Sequence, residues 1–109
     1  MTAGEIREKL QLKIFHEANA DAKVTGGYTG DLLSWVMGRN EQGNCWITIM
    51  SNRNVAAVAQ LTEASMVIMA ENVEPDAGTL EAFEDNGLNI YGSAESAFTL
   101  SGKVWDLLS

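Results

Sequence analysis

The chain has 109 residues, 46% of them hydrophobic, and carries 7 lysines and arginines against 15 aspartates and glutamates, a net charge of -8. This length and hydrophobic content predict one domain, 1–109, with a single core. The acidic charge argues against binding to nucleic acid or to an anionic membrane surface. With Cys45 as the only cysteine and no apolar run of about 18 residues, we expect a cytoplasmic, soluble domain without a disulfide bond or a membrane segment.

Strands and helices alternate from the start of the chain, although the pattern is weaker in the first half. Thr2 and Glu5 have the spacing of a capping box, which predicts a first helix with Ile6 and Leu10 on one face. Asp31 stands where an N-cap belongs, before a short helix that is expected to end near residue 38. The other expectations are a strand at 12–15, a polar loop at 17–23 and a possible brief strand at 24–25.

The alternation is clearer after residue 44 and predicts the fold class. The segments 45–50 and 66–70 are apolar at almost every position, as in parallel strands covered on both faces, and a third strand is expected at 88–91. Helical patterns separate these strands. The chain is therefore predicted to have an α/β fold, a three-layer α/β/α sandwich around a mainly parallel sheet in a single small domain. The strand order stays open.

Capping residues and apolar stripes predict where the helices of the second half begin, end and face the core. The residues that suit helix ends are Asn52 or Asn54 and Ser93 at N-caps, Pro75 and Asp76 in a first turn, and Gly87 at a C-terminus. The positions expected to face inward are Val55, Val58, Ala59 and Thr62 in one helix, and Ala97, Leu100, Val104 and Leu108 in the last. Trp46 and Trp105 are expected in the core, whereas Trp35 fits either the core or an interface.

The most informative segment is KVTGGYTGDLLSW, residues 23–35, which contains Gly26, Gly27 and Gly30. These glycines predict a shaped loop with positive φ angles that lets a ligand or another backbone approach closely. The helix N-terminus behind the loop offers free amide donors. The segment has neither the lysine of a phosphate loop nor the spacing G-x-G-x-x-G, so it indicates a site without naming its ligand.

Polar residues near the carboxyl ends of the predicted strands form the candidate ligand-binding site, because ligands of parallel α/β sheets usually bind there. The candidates are Thr25, Gly26, Gly27, Thr29, Gly30, Asp31, Ser51, Asn52, Arg53 and Asn54. Arg53 is a rare positive charge in an acidic chain, next to an expected helix start. It fits a contact to an anion or a nucleotide, and the alternative is a loop arginine paired with a surface carboxylate.

Signals for catalysis or metal binding are weak. His16 has no cysteine or second histidine with which to share a metal, and Cys45 has no basic neighbour in sequence, so structural roles are expected for both. Asp31 is better explained as a helix cap than as a catalytic base. No Ser-His-Asp set or nucleophile elbow is present. We therefore expect a protein that is not an enzyme and has no cofactor or metal.

A resemblance to the stand-alone DRTGG domain covers nearly the whole chain. It rests on the segments VTGGYTGDLLSWVM, WITIMSNRNVAAVAQL, VIMAENVEPDAGTLEAFEDNGLNIY and SAFTLSGKVWDLL. Small proteins of this kind are often found beside iron-only hydrogenase genes, and related domains occur between CBS modules in regulated pyrophosphatases. The plan is also similar to the N-terminal domain of HPr kinase, whose phosphate loop lies in a separate domain that this chain lacks.

The resemblance implies a non-catalytic regulatory or ligand-sensing domain, often a homodimer, that acts on a partner such as an iron-only hydrogenase system. The family signature is an acidic residue with arginine, then Thr-Gly-Gly after the next strand; here Asn52-Arg53 and Ala70-Glu71-Asn72 occupy those places. A ligand bound through that signature elsewhere is therefore expected to bind differently here, or not at all. The alternative is a homodimeric protein-interaction module, an adaptor without a small ligand. A small enzyme is the weakest hypothesis.

Overall fold

The computed structural model describes all residues from 1 to 109, which form five helices and one five-stranded sheet. The helices are α1 (Ala3–Leu10), α2 (Leu33–Arg39), α3 (Asn54–Leu61), α4 (Ala77–Asp85) and α5 (Ala97–Leu108). The strands are β1 (Lys13–His16), β2 (Gly26–Thr29), β3 (Asn44–Thr48), β4 (Met66–Met69) and β5 (Ile90–Gly92). None of the helices is long and apolar enough to cross a membrane.

A mainly parallel sheet forms the middle layer. Its strand order is β1-β5-β4-β3-β2, in which β2 to β5 are parallel to one another and β1 is antiparallel to β5. The two edge strands are therefore β1 and β2. Helices α1 and α5 pack on one face of the sheet, and α2, α3 and α4 pack on the other. This arrangement confirms the three-layer sandwich expected from the alternation of strands and helices.

The central strands β3 and β4 contain no exposed residue, because helices cover the sheet on both faces. Side chains of β3 alternate between the two faces: Cys45 and Ile47 pack with α1 and α5, whereas Trp46 packs with α2, α3 and α4. The inward stripe predicted for α3, formed by Val55, Val58, Ala59 and Thr62, is buried. The apolar pattern of the sequence thus identified this part of the core correctly.

The inward face predicted for α5 is confirmed, but one residue predicted to lie in the core does not. Leu100 and Val104 are buried, and Ala97 and Leu108 are partly buried against the same cluster. Trp105 follows Val104 by one residue and therefore lies about 100° further round the helix. Its side chain is 74% exposed, so the prediction that Trp105 belongs to the core is wrong.

Several helix ends confirm the capping signals. The Glu5 N–H donates to Thr2 Oγ1 at 3.2 Å and the Thr2 N–H donates to Glu5 Oε1 at 2.9 Å, which completes the capping box. Gly87 lies just beyond α4 with a φ of +64°, as a left-handed helix end requires. Asp76 is the N-cap of α4, so Pro75 precedes the helix instead of lying in its first turn.

Other N-cap predictions are wrong by a few residues. Ser93 lies in the loop after β5, and Ser96 caps α5 instead. At α3 the N-cap residue is Arg53, with Asn54 as the first residue of the helix. The side chain of Asn52 accepts the N–H of Asn54 at 2.9 Å and so orders the turn that leads into α3.

Candidate functional site

The glycine segment is an edge strand and not the shaped loop that its sequence predicts. None of Gly26, Gly27 and Gly30 has a positive φ. The glycines that do are Gly43 and Gly87. Parallel pairing of β2 with β3 uses the backbone groups on one side of β2. This pairing stabilises an extended conformation that glycine does not favour by itself.

Asp31 joins the carboxyl ends of β2 and β3 and does not cap α2, which corrects the sequence interpretation. The N-cap position is Leu32, which makes no side-chain capping bond. The Asp31 carboxylate instead accepts hydrogen bonds from the Thr48 hydroxyl at 2.7 Å and from the Ile49 N–H at 2.8 Å. The carboxylate therefore fixes the chain where it leaves the sheet, and Asp31 is exposed.

The candidate residues do not all lie at one edge of the sheet. Thr25 precedes β2 and Asp31 follows it, so six residues of extended chain, about 20 Å, separate them. The strand expected at 24–25 in fact begins at residue 26. The segment 51–54 connects β3 to α3 at the carboxyl edge, on the same side of the sheet as Asp31.

A groove between β2 and α5, here called the α5 groove, has a volume of about 450 Å³. The candidates that line it are Thr25, Gly26, Gly27 and Thr29. Its other lining residues are Tyr28, Ile47, Ser101, Val104, Trp105, Leu108 and Ser109. A hydrogen bond of 2.6 Å joins the hydroxyls of Thr29 and Ser101. Because no charged side chain lines this groove, it suits an apolar group better than an anion.

A second groove, here called the α2 groove, lies between the end of β2 and α2 and has a volume of about 430 Å³. Its lining residues are Tyr28, Thr29, Gly30, Asp31, Leu32, Trp35 and Val36. Trp35 is 52% exposed, and the Arg39 guanidinium lies 3.5 Å from the centre of its ring. This is a cation–π contact. The aromatic surface of Trp35 is suited to a flat ligand. Arg39 beside it offers a positive charge outside the lining, whereas the charged side chain within the lining is the Asp31 carboxylate.

Sequence reasoning missed several residues in or beside these grooves. The signal for Arg39 is its spacing of four from Trp35, which puts both side chains on one face of a helix. Tyr28 carries no comparable signal, because its place depends on β2 being an edge strand. Ser101 lies 72 positions after Thr29, and only the tertiary structure brings the two together.

Arg53 is exposed and forms no salt bridge within the chain. Hydrogen bonds from Thr79 are the main reason why the pKa of Asp76 is lowered, and the positive charge of Arg53 adds to the effect. The Thr79 hydroxyl also donates to the Ser51 carbonyl at 2.6 Å, which ties the loop after β3 to α4. Arg53 therefore acts on the surface carboxylate of Asp76 through its charge, without a salt bridge to it.

The surroundings of the buried Cys45 and Tyr91 side chains indicate structural roles for both. Cys45 is fully buried, and burial raises the pKa of its thiol to about 12, which fits the inert role expected for it. The Tyr91 hydroxyl donates to Glu17 at 2.7 Å, and Arg7 donates to both oxygens of the same carboxylate at 2.7 Å. Burial, followed by the contact with Glu17, raises the pKa of Tyr91. No group of three His, Cys, Asp or Glu side chains is placed to hold a metal ion.

No protein-family model and no curated protein matches this chain by sequence. In structure, the chain is similar to the regulatory region of Clostridium perfringens pyrophosphatase, crystallised as CBS and DRTGG domains with its activator, diadenosine tetraphosphate. The TM-score is 0.72 with 13% sequence identity, over 93% of this chain and 44% of that chain. The chain has a DRTGG-like fold. It spans less than half of that regulatory region, and the activator is a property of that protein.

The backbone conformation after β4 shows what the altered signature residues do in this chain. Glu71 and Asn72 have φ angles of +58° and +61°, in the left-handed region that favours glycine. These are the places that the resemblance assigns to the two glycines of the signature. The Glu71 N–H donates to the Glu95 carbonyl and the Asn72 N–H to the Ser93 carbonyl, both at 2.9 Å. These two amides are therefore engaged within the chain and are not free to bind an anion.

Proposed function

We propose that this chain is a non-catalytic regulatory domain that senses a small anionic or nucleotide ligand and acts on a partner protein. The observation that carries the proposal is the structural likeness to a regulatory region that was crystallised with a nucleotide activator. The two grooves beside β2 add support, because ligand sites are usually concave, largely apolar and a few hundred cubic ångströms in volume.

The proposed binding site is the α2 groove together with the loop that follows β3. Trp35 supplies an aromatic surface, and Arg39 and Arg53 are arginines without a salt bridge. These features fit a nucleotide, whose base stacks on aromatic side chains and whose phosphates attract arginine. The Asp31 carboxylate lines the same groove and suits hydrogen bonds to the hydroxyls of a ribose.

Thermal denaturation with a nucleotide panel tests this proposal, because a ligand that binds only the folded state raises the melting temperature. The panel contains AMP, ATP and diadenosine tetraphosphate, with adenosine as the uncharged comparison. A ligand at about 100 times its Kd should add about 2.7 kcal/mol to the free energy of unfolding, or roughly 10 °C for a domain of this size. No shift with any phosphorylated member would contradict nucleotide sensing.

Variants then locate the site. Arg53→Ala should weaken binding of the nucleotide tenfold to a hundredfold, because a charge-assisted hydrogen bond contributes about 1.5–3 kcal/mol. Trp35→Ala should have a comparable effect, since stacking on an aromatic side chain contributes about 1–3 kcal/mol. Lys9→Ala is the matched control, because Lys9 is an exposed cation without a salt bridge on α1, across the sheet. Unchanged affinity in both site variants would place the ligand elsewhere.

A homodimeric interaction module without a small ligand is the second candidate function. The observation in its favour is the exposed aromatic surface of α5, where Phe98 and Trp105 lie on one side of the helix and Trp105 lines the groove beside the edge strand β2. A dimer whose melting temperature responds to no nucleotide would favour this function over ligand sensing. An iron-only hydrogenase system remains the proposed partner in either case. Co-elution of the purified chain with such a hydrogenase, or a change in its rate of hydrogen production, tests that part.

A further inference from the structure

The outer side of β2 has no strand partner from Gly26 to Thr29, and no charge or proline in these residues keeps another strand away. The chain just before β2 is already paired, since Thr2 bridges Lys23 and the Val24 N–H donates to the Met1 carbonyl at 2.8 Å. β2 is the last strand of the sheet and pairs only with β3, so its other backbone groups face away from the sheet. Residues 24–30 include no charge and no proline, and the pairing has no bulge. The opposite edge is protected, because β1 carries Lys13 and has an irregular register between Ile14 and His16. An edge like that of β2 accepts a further strand readily.

Helix α5 presents apolar side chains next to this edge. Phe98 is 89% exposed and Trp105 is 74% exposed, and their spacing of seven puts them on one side of the helix. The hydrogen bond between Thr29 and Ser101 holds that side of α5 against β2. We call the combined area, formed by β2, Phe98, Ser101, Gly102 and Trp105, the β2–α5 surface.

Gly102 lies within this surface, in the middle of a helix of 12 residues. Glycine is much less favourable than alanine inside a helix. A Cβ added at Gly102 would meet nothing within 4 Å, as is also true of Gly38 in α2, so alanine fits within the chain at either position. At Gly102 the missing side chain leaves room for a backbone or a large side chain of another molecule.

The charge distribution allows a second copy of this chain to cover the surface. Each copy has a net charge of -8, so two copies repel each other unless they meet where the charges balance. Helix α5 contains one lysine, Lys103, and one aspartate, Asp106, and residues 24–30 contain no charge. The β2–α5 surface is therefore a neutral area on an acidic molecule.

We propose that two copies of this chain associate through the β2–α5 surface, with their β2 strands antiparallel across a two-fold axis. The two sheets then join into a single sheet of ten strands, five from each copy. A two-fold axis brings the same surface of both copies together. It also puts both α5 helices on one face of the joined sheet, where Phe98 and Trp105 of each copy pack against α5 of the other. This inference rests on the homodimer proposed above and names where it forms.

The exposed area of the β2–α5 surface indicates a dimer that forms reversibly. Aromatic side chains present about 150–250 Å² each, so the exposed parts of Phe98 and Trp105 amount to roughly 350 Å². A standard interface buries about 800 Å² on each partner, and the backbone of β2 with the other outward side chains of α5 supplies the remainder. Because the two aromatic side chains supply less than half of the area of a standard interface, the dimer is expected to dissociate on dilution.

Sedimentation equilibrium from micromolar to near-millimolar concentration tests the surface. The wild-type chain should approach twice its mass of 11.8 kDa at the upper end. Trp105→Glu and Phe98→Glu should each weaken association at least a hundredfold, with circular dichroism spectra unchanged because both side chains are exposed. Ile14→Glu is the matched control, since Ile14 is an exposed apolar residue on the other edge strand. It should dimerise like the wild type.

Gly102→Ala gives an independent readout. It should raise the melting temperature of the dilute monomer, because alanine favours the helix, and should weaken the dimer about tenfold or more by filling the space that the partner needs. A variant that is more stable and associates normally would count against the packing of α5.

The outcomes separate the proposals. A wild-type chain that is monomeric at every concentration would overturn both this surface and the homodimer, while nucleotide sensing is decided by the ligand panel alone. A dimer that persists in Trp105→Glu and Phe98→Glu would keep the homodimer and overturn this surface. Dissociation by Ile14→Glu alone would assign the contact to β1.

Discussion

Two single substitutions, Gly27→Ala and Gly43→Ala, should have opposite effects on the free energy of unfolding. Gly27 lies in the extended strand β2, and an added Cβ would be 3.4 Å from the Cys45 carbonyl oxygen and 3.9 Å from Val104 Cγ1, which are ordinary contacts. Gly43 has a φ of +85°, and an added Cβ would lie 2.5 Å from Thr25 Oγ1. Only the second position therefore needs glycine.

The magnitudes follow from these two environments. Alanine at residue 27 should raise the free energy of unfolding by about 0.4–1 kcal/mol, because it restricts the unfolded chain without straining the folded one. Alanine at residue 43 should lower it by about 1–2 kcal/mol for the left-handed backbone, and by more because the Thr25 hydroxyl must move. The two variants should therefore differ by roughly 2–3 kcal/mol, or about 10 °C or more in melting temperature.

Urea denaturation followed by tryptophan fluorescence measures both free energies, with an unchanged m-value as the sign that the unfolded states are comparable. Gly38→Ala is the control, because a Cβ at this helical glycine would meet nothing within 4 Å. It should stabilise by about 1 kcal/mol from helix propensity alone. A Gly27→Ala variant as unstable as Gly43→Ala would refute the strand and favour the constrained loop that the sequence indicated.

The Cys45 thiol should react with a disulfide reagent roughly a hundredfold or more slowly in the native protein than in urea, because it is fully buried and its pKa is raised to about 12. Equal rates would mean that β3 opens easily. Tyr91→Phe should lower the free energy of unfolding by about 1–2 kcal/mol, measured in urea, because it removes the hydrogen bond to Glu17. Since the pKa of Tyr91 is raised in the folded state, its contribution is present below its ordinary pKa of about 10 and is lost as the pH rises further. The wild type should therefore lose more stability than Tyr91→Phe above about pH 10, and parallel losses would contradict the shift.

Interactions between residues close in the chain were sufficient to predict much of the fold. The capping box of Thr2 and Glu5 and the left-handed Gly87 depend only on neighbours within one or two helical turns. The apolar runs at 45–50 and 66–70 predicted buried parallel strands, because a strand covered on both faces needs apolar residues on both. The alternation of these strands with helices was enough to identify the three-layer architecture.

The candidate site was predicted less well, because its residues act through contacts between distant segments. Asp31 has the sequence position of a helix cap, but the tertiary structure offers it the Thr48 hydroxyl and the Ile49 N–H instead. Arg53 was recognised from its charge alone. The aromatic surface of Trp35 became part of a candidate site only when the end of β2 was positioned beside α2.

The sequence by itself determined which segments are helical and which strands are buried, since those properties depend on local periodicity and composition. Only the tertiary structure decided that the glycine segment is an edge strand, because pairing with β3 supplies the hydrogen bonds that its weak strand propensity does not. It also decided that Trp105 is exposed. Two residues adjacent on a helix face different directions, and the packing of α5 on the sheet selected Val104 for the core and left Trp105 outside.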